Sequence, residues 1–156
     1  MTQHELFMKK ALNQAKVALS HDEVPIGAVV VHKGKVIARA HNVRNATRNA
    51  INHAEILAIQ KACKKLGDWR LNECDLYVTL EPCLMCTGAC YNARLGNVYF
   101  GAYDNNGGGA TTVVNETRNN TLNHNLNITG GILQQQCSQI LKDYFHSKRQ
   151  KEKITN

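Results

Sequence analysis

The sequence of 156 residues lacks any apolar run that approaches the roughly 20 residues needed to span a membrane as a helix. Its first thirty residues mix Lys, Glu, Asp and His among the hydrophobic positions, so we expect neither a membrane span nor a signal peptide. Internal repeats and linkers are also absent. The hydrophobic fraction of 43% is ordinary for a globular protein and excludes wholesale disorder. A chain of this length predicts a single domain over residues 1–156.

Acidic residues are few, with 12 Asp and Glu against 19 Lys and Arg, which gives a formal net charge of +7. This excess favours a polyanionic partner through attraction to phosphates, although positive charge can also serve solubility alone. The six cysteines lie in a chain that is too large and too ordinary in composition for a disulfide-stapled protein. We interpret them as thiols in the reducing cytoplasm.

Hydrophobic periodicity predicts alternating helices and strands. Apolar spacing of three and four residues predicts helices over 2–19, from 53 to about 67, over 83–93 and from about 133 onwards. Runs of β-branched and aromatic residues predict strands over 24–31, 36–41, 76–80, 97–101 and 126–129, and the first two form a hairpin. This order predicts an α/β fold, a three-layer α/β/α sandwich around a five-stranded mixed sheet.

Three details refine this prediction. The polar stretch 42–52 is expected to be a loop, and Pro82 is expected at the start of the third helix, where its missing N–H costs nothing. The glycines at 107–109 lack the Lys-Ser/Thr of a phosphate-binding loop, so a flexible loop beside a pocket is the preferred interpretation. The last helix has a basic end from about residue 142.

Two predicted helix starts carry side chains that bind metals. Cys83 and Cys86 are three residues apart and share a helix face, and a helix N-terminus favours their thiolate form. His53 opens the preceding helix, and the two helix starts can meet at the cleft that forms where strands of an α/β sheet end. Two thiolates and one imidazole suit zinc, and three protein ligands leave a fourth position for water, as in a catalytic site.

Glu55 lies two residues after His53, which on an ideal helix is a rotation of about 200°. One of the two must therefore use the frayed first turn, and Glu55 is then available as a general acid and base beside the metal. A structural zinc site would instead need a fourth ligand, for which Cys90 is the nearest candidate. Taken singly, His53 could be a histidine at a helix end, and Glu55 could be a first-turn carboxylate that interacts favourably with the helix dipole.

The combination His-x-Glu followed by Pro-Cys-x-x-Cys is the signature of zinc-dependent nucleobase deaminases. Over nearly its whole length the chain resembles the bacterial tRNA-specific adenosine deaminases, which have the cytidine deaminase-like fold. The zinc motif alone indicates only the superfamily, whereas residues 23–28 and 69–71 point to the tRNA enzymes. The matching segments are 23–28, 41–42, 53–55, 69–71, 76–86 and 100–102.

This resemblance implies conversion of adenosine to inosine at the wobble position of a tRNA anticodon. It implies one zinc ion per subunit, held by His53, Cys83 and Cys86, and makes Glu55 the group that moves a proton to purine N1. The partners it implies are the tRNA anticodon stem-loop and a second copy of the chain in a homodimer, in the cytoplasm.

The resemblance also implies a substrate pocket. Asn42 resembles the asparagine that hydrogen-bonds the flipped base, and Asp104 still aligns with an acidic residue of the family. The backbone N–H groups of Ala54 and Cys83 would line the pocket. Glu81 and Trp69 match the family pattern without an assigned role, and Trp69 could equally anchor the core.

The chain departs from the family at two arginines, which are replaced by Asn125 and His146. Because arginines contribute to RNA affinity, these changes concern the RNA surface and leave the zinc chemistry intact. The residues expected to contact RNA are Tyr144, Phe145, Lys148 and Arg149.

Two alternatives remain open. The first is a deaminase of free nucleobases or nucleosides of the guanine, cytosine or adenine type on the same fold. The second is a catalytically silent RNA-binding module that keeps zinc for folding, against which the presence of Glu55 argues.

Overall fold

The computed structural model describes residues 1–105, 108–110 and 124–155, and within them helices cover both faces of a five-stranded sheet. The helices are α1 (Gln3–Ser20), α2 (Arg44–Thr47), α3 (Ala54–Leu66), α4 (Leu84–Asn92) and α5 (Gln134–Thr155). The strands are β1 (Gly27–His32), β2 (Lys35–His41), β3 (Cys74–Leu80), β4 (Asn97–Ala102) and β5 (Asn127–Thr129). The predicted fold class is confirmed.

The sheet has the strand order β2-β1-β3-β4-β5 and is mixed. Strand β1 runs antiparallel to both β2 and β3, whereas the pairs β3–β4 and β4–β5 are parallel. Because β3 and β4 are parallel neighbours, the segments that follow them leave the same edge of the sheet. The turn into α4 and the loop after β4 therefore lie side by side, which is where ligands bind in open α/β sheets.

Two apolar cores lie on opposite faces of the sheet, and β1 contributes to both. Since side chains alternate along a strand, Ala28 and Val30 pack with α3 and α4, while Val29 and Val31 pack with α1 and α5. Because both faces of β1 are buried, its apolar residues follow one another without a break. A strand with one exposed face would alternate apolar and polar residues. The three layers are thus α1 and α5, the sheet, and α3 and α4.

Several predicted boundaries shift. Strand β1 begins at Gly27 because the preceding residues make a tight turn, in which Ile26 N–H donates to the carbonyl oxygen of Val24 at 2.8 Å. Strand β3 begins earlier than expected, at Cys74, which pairs with His32. The stretch predicted as a loop over 42–52 contains the short helix α2.

The third predicted helix begins one residue later than expected. Pro82 precedes the N-cap of α4, because Cys83 has extended backbone angles (φ −69°, ψ 174°) and acts as the N-cap, so that the helix begins at Leu84. Trp69, whose role the sequence left open, is 59% exposed after the end of α3 and does not anchor the core. Of the glycine run, Gly107 lies outside the described residues.

Helix α1 approaches β1 closely at Gly27, which lies fully inside the protein. A Cβ atom added there would overlap the carbonyl oxygen of Ala11 and lie 2.5 Å from the backbone nitrogen of Ala15. Backbone atoms cannot move aside as a flexible side chain can. The glycine is therefore required for this helix to pack against the sheet.

We expect Gly27→Ala to lower the free energy of unfolding by about 3 kcal/mol, because α1 must move away from β1. The matched control is Gly96→Ala, whose added Cβ would meet its nearest atoms at 3.6 and 3.7 Å, an ordinary contact. The control is expected to change stability by less than about 1 kcal/mol. Urea denaturation followed by circular dichroism measures both, and equal effects would contradict the packing argument.

Candidate active site

His53 and Glu55 take different backbone conformations, which removes the conflict posed by their spacing. His53 is the N-cap of α3 with extended angles (φ −75°, ψ 155°), so it stands outside the helical repeat. Glu55 lies in the first turn of the helix and is buried. The expectation that one of the pair leaves the regular helix is confirmed, and the residue is His53.

Cys83 and Cys86 occupy the start of α4 in the same way. Cys83 is the N-cap and is partly exposed, whereas Cys86 lies in the first turn and is fully buried. Thr87 fixes this turn, because its hydroxyl donates to the carbonyl oxygen of Cys83 at 2.8 Å and its N–H donates to the same atom at 2.9 Å. The backbone of Cys83 is thus held by the first turn of α4, which also carries Cys86.

The structure brings the imidazole and both thiols together. The Nδ1 atom of His53 lies 3.7 Å from Sγ of Cys83 and 3.5 Å from Sγ of Cys86. For tetrahedral zinc with Zn–S near 2.3 Å and Zn–N near 2.05 Å, the S···N separation is about 3.6 Å. These three residues therefore fit zinc.

No fourth His, Cys, Asp or Glu of the described residues joins this group, whose ligand atoms all lie within 4.8 Å of one another. Cys90, the candidate for a closed structural site, is buried one turn further along α4 and does not belong to it. Three side-chain ligands leave one tetrahedral position for water, which is the arrangement of a catalytic zinc site.

Burial governs the electrostatics of the site. It lowers the pKa of His53, with a smaller contribution from the positive charge of Arg44, and both effects favour the neutral imidazole that metal binding requires. Burial also raises the pKa of the Cys86 thiol, followed by the effect of Glu55. A cation bound next to this buried thiol would stabilise its thiolate form and lower its pKa.

Glu55 is 4% exposed, and burial raises the pKa of its carboxyl group to about 7. Hydrogen bonds with its own backbone and with Cys86 oppose this shift without cancelling it. A carboxyl group with a pKa near neutrality can both accept and donate a proton at physiological pH. This is the property that general acid–base chemistry requires of Glu55.

Asn42 is buried at the end of β2, beside the start of α3. Its Oδ1 accepts a hydrogen bond from the N–H of Ala54 at 2.8 Å, and its own N–H donates to the carbonyl oxygen of Ile26 at 3.1 Å. The Ala54 N–H expected to line the pocket is thus bonded to the asparagine expected to bind the base. Their roles in substrate binding stay predictions.

Asp104 follows β4 and is tied to the turn that carries the sulfur ligands. Its N–H donates to Oε1 of Glu81 at 3.1 Å, and Gly109 N–H donates to the carbonyl oxygen of Pro82 at 3.0 Å. A Cβ atom at Gly108 would overlap the Glu81 carboxylate. Glu81 thus holds Asp104 and Gly108, described residues that follow β4, close to the turn at Cys83, a role with no signal in the sequence.

A cleft of about 640 Å³ opens between this loop and α5. Its lining includes Tyr103, Asp104, Lys142, Phe145 and Arg149. Phe145 and Arg149, two of the residues expected to contact RNA, are therefore placed beside Asp104.

The other two expected RNA contacts lie differently. Tyr144 is buried, and Lys148 forms a 3.2 Å ion pair with Asp22 while its ammonium group lies 5.6 Å from the centre of the Tyr144 ring. The basic end of α5 thus divides into residues that face the cleft and residues that attach the helix to the α1–β1 link.

Comparison with known proteins agrees with this geometry. The sequence pattern of the MafB19-like deaminases matches residues 2–149. The chain belongs to the MafB19-like deaminase family. It is 48% identical to a tRNA-specific adenosine deaminase of Bacillus subtilis (strain 168) over 153 residues, which cover 98% of this chain and 95% of the relative.

Solved structures give the same result. The fold is similar, with a TM-score of 0.81 and 43% identity, to a structure from a study of A-to-I editing by tRNA:A34 deaminases at the wobble position, covering 87% of this chain and 99% of that one. Similarity to guanine deaminase of Bacillus subtilis is lower, with a TM-score of 0.63 and 38% identity over 72% of this chain and 70% of that one. The resemblance found from the sequence motifs is confirmed.

We expect Cys86→Ala to lose zinc and Cys90→Ala to retain it. The first variant removes one of three converging ligands, whereas the second removes a buried thiol outside the group. Zinc per chain, measured by plasma mass spectrometry after dialysis, should be well below one for Cys86→Ala and close to one for Cys90→Ala. Loss of zinc in Cys90→Ala alone would make Cys90 a ligand and the site a structural one.

Proposed function

We propose that the protein hydrolyses adenosine to inosine at the wobble position of tRNA anticodons, with zinc held by His53, Cys83 and Cys86. The observation that carries this proposal is 48% identity, over 98% of the chain, to a relative named tRNA-specific adenosine deaminase. The convergence of the three ligands beside a buried Glu55 supplies the chemistry that the reaction needs.

In this reaction water adds to C6 of the adenine, the C6–N6 bond breaks and ammonia leaves. Zinc, when bound, supplies a Lewis acid that makes water a nucleophile near neutral pH. The buried Glu55 accepts a proton from the attacking water and donates it to purine N1; it then transfers the second proton of that water to N6, so that the amine leaves as ammonia. Asn42 orients the flipped base from its fixed position at the end of β2, where it is bonded to the start of α3.

The RNA is proposed to extend from the site into the cleft between the loop after β4 and α5. Phe145 is 45% exposed there and offers a ring for base stacking, while Arg149 offers a guanidinium for phosphate. Asn125 and His146, which replace the family's arginines, are both exposed. The net charge of +7 supports a polyanionic substrate.

We propose that the active form is a homodimer. Leu84 and Met85, in the first turn of α4, are 60% and 38% exposed beside Cys83, and Ile51 is 54% exposed before α3. A cluster of exposed apolar side chains is typical of a surface that another molecule covers. A second copy of the chain would cover them and complete the wall of the site.

We propose the cytoplasm as the compartment, because tRNA is modified there and six free thiols suit a reducing environment. Among the described residues, no helix has the length and apolar character needed to cross a membrane.

A second candidate is the deamination of a free base such as guanine. It is favoured by the 38% identity to guanine deaminase of Bacillus subtilis and by the two missing arginines. The covered share of both chains and the structural similarity are greater for the tRNA:A34 deaminase structure. Substrate size separates the two candidates.

The decisive experiment compares an anticodon stem-loop containing adenosine at the wobble position with guanine, cytosine and adenosine as free substrates. The zinc-loaded protein is expected to form inosine in the stem-loop and to leave the free substrates largely unchanged. Nucleoside analysis by mass spectrometry after digestion measures the product. Turnover of a free base without inosine in the RNA would replace the proposal with the second candidate.

Replacing Glu55 by glutamine is expected to reduce kcat by about a thousandfold or more, because the amide cannot move a proton. Zinc content and thermal stability should stay near wild type, since Glu55 is not among the proposed ligands. Single-turnover inosine formation and metal analysis test this together. Residual activity within tenfold of wild type would exclude Glu55 as the acid–base group.

Arg149→Ala is expected to raise KM for the stem-loop about tenfold with little change in kcat, because it removes a cation from the cleft. Lys153→Ala is the matched control, an exposed basic residue on the same helix that does not line the cleft. Steady-state kinetics at fixed ionic strength compares them. Equal effects would mean that α5 contributes net charge and no specific contact.

A further inference from the structure

Glu23 is a buried carboxylate that the mechanism leaves unused. It lies in the link between α1 and β1 and is 1% exposed. Its two carboxylate oxygens accept hydrogen bonds from Asn45 N–H at 2.7 and 3.1 Å, and one of them also accepts from Ala46 N–H at 3.3 Å. A carboxylate withdrawn from water is tolerated where such donors satisfy it. These bonds cross 22 and 23 residues of sequence.

The donors belong to α2, inside the loop 43–52. Residues 44–51 are all exposed, and the loop is closed at its base by Val43 N–H donating to the carbonyl oxygen of Asn52 at 3.2 Å. A helix of four residues does not hold an orientation by itself. In the described part of the chain, the bonds to Glu23 are the side-chain hydrogen bonds that tie this loop to another segment.

The loop connects two residues of the candidate site. It begins directly after Asn42 and ends directly before His53, and these ends are joined by the bond from Ala54 N–H to Asn42 Oδ1. Its first helical residue, Arg44, follows Asn42 by two positions and is exposed. An exposed guanidinium so close along the chain to Asn42 is available to a phosphate that flanks a nucleotide in the site.

We propose that Glu23 is a positioning residue that fixes α2 so that Arg44 meets the RNA backbone beside the reacting nucleotide. This inference rests on the proposed function. A guanidinium held in place before the substrate arrives binds phosphate with a smaller loss of conformational freedom than one on an unanchored loop. Glu23 would therefore contribute to RNA binding without touching the RNA.

The test is a double-mutant cycle of Glu23→Gln and Arg44→Ala on an anticodon stem-loop. The glutamine keeps one acceptor oxygen but turns an amide N–H₂ towards the backbone donors. Each single variant is expected to raise KM about tenfold and to change kcat less than about threefold, with zinc content unchanged. Because one residue acts through the other, the double variant should raise KM by much less than the product of the single effects.

Arg48→Ala is the matched control, since Arg48 is an exposed arginine of the same loop that follows α2 as its C-cap, at the opposite end of that helix from Arg44. It is expected to raise KM less than about threefold. Additive single effects, an Arg48→Ala effect equal to that of Arg44→Ala, or a loss of kcat and zinc in Glu23→Gln would each overturn the proposal.

A second variant covers the case in which Glu23→Gln does not fold, and a binding assay covers the case in which the protein makes no inosine. Glu23→Asp, which keeps the charge and shortens the reach, replaces Glu23→Gln if the latter does not fold, and failure of both to fold would assign Glu23 to folding alone. If wild-type protein makes no inosine, the proposed function fails. Fluorescence anisotropy of the labelled stem-loop with the same variants then decides whether Glu23 and Arg44 act together in RNA binding.

Discussion

The meeting of one imidazole and two thiols at the starts of α3 and α4 is the constraint on which the rest of the structure depends. Both helices begin at the same edge of the sheet, and each begins with an extended N-cap residue that is itself a ligand. Because His53 and Cys83 stand outside the helices, the first turns remain free to carry Glu55 and Cys86. A regular helix that began at His53 would turn His53 and Glu55 about 200° apart.

Burial gives the site its chemistry. The same removal from water that lowers the pKa of His53 also raises the pKa of Glu55 to about 7 and disfavours an unpaired thiolate at Cys86. A cation suits such a group of donors, and a carboxyl group poised near neutrality beside it suits proton transfer. The fold supplies this environment by closing the α3 and α4 layer over the sheet.

The surroundings of the site are held by backbone hydrogen bonds to buried or half-buried carboxylates. Glu81 accepts the N–H of Asp104, which brings the loop after β4 against Cys83, and Glu23 accepts N–H groups of α2 beside His53. Each carboxylate lies in a link between regular elements and holds a second, distant link. The segments around the site are thus held in place by carboxylates that belong to other parts of the chain.

The sequence by itself determined the elements and the chemistry. Periodicity located the helices and strands to within a few residues, and the motif spacing identified His53, Cys83, Cys86 and Glu55, because both signals are local and recur at fixed intervals. Only the tertiary structure decided that Trp69 is exposed, that Tyr144 is buried, and that Glu23 and Glu81 hold loops near the site. Those properties depend on contacts between residues more than twenty positions apart, or on which face a neighbouring element covers, and no local pattern encodes them.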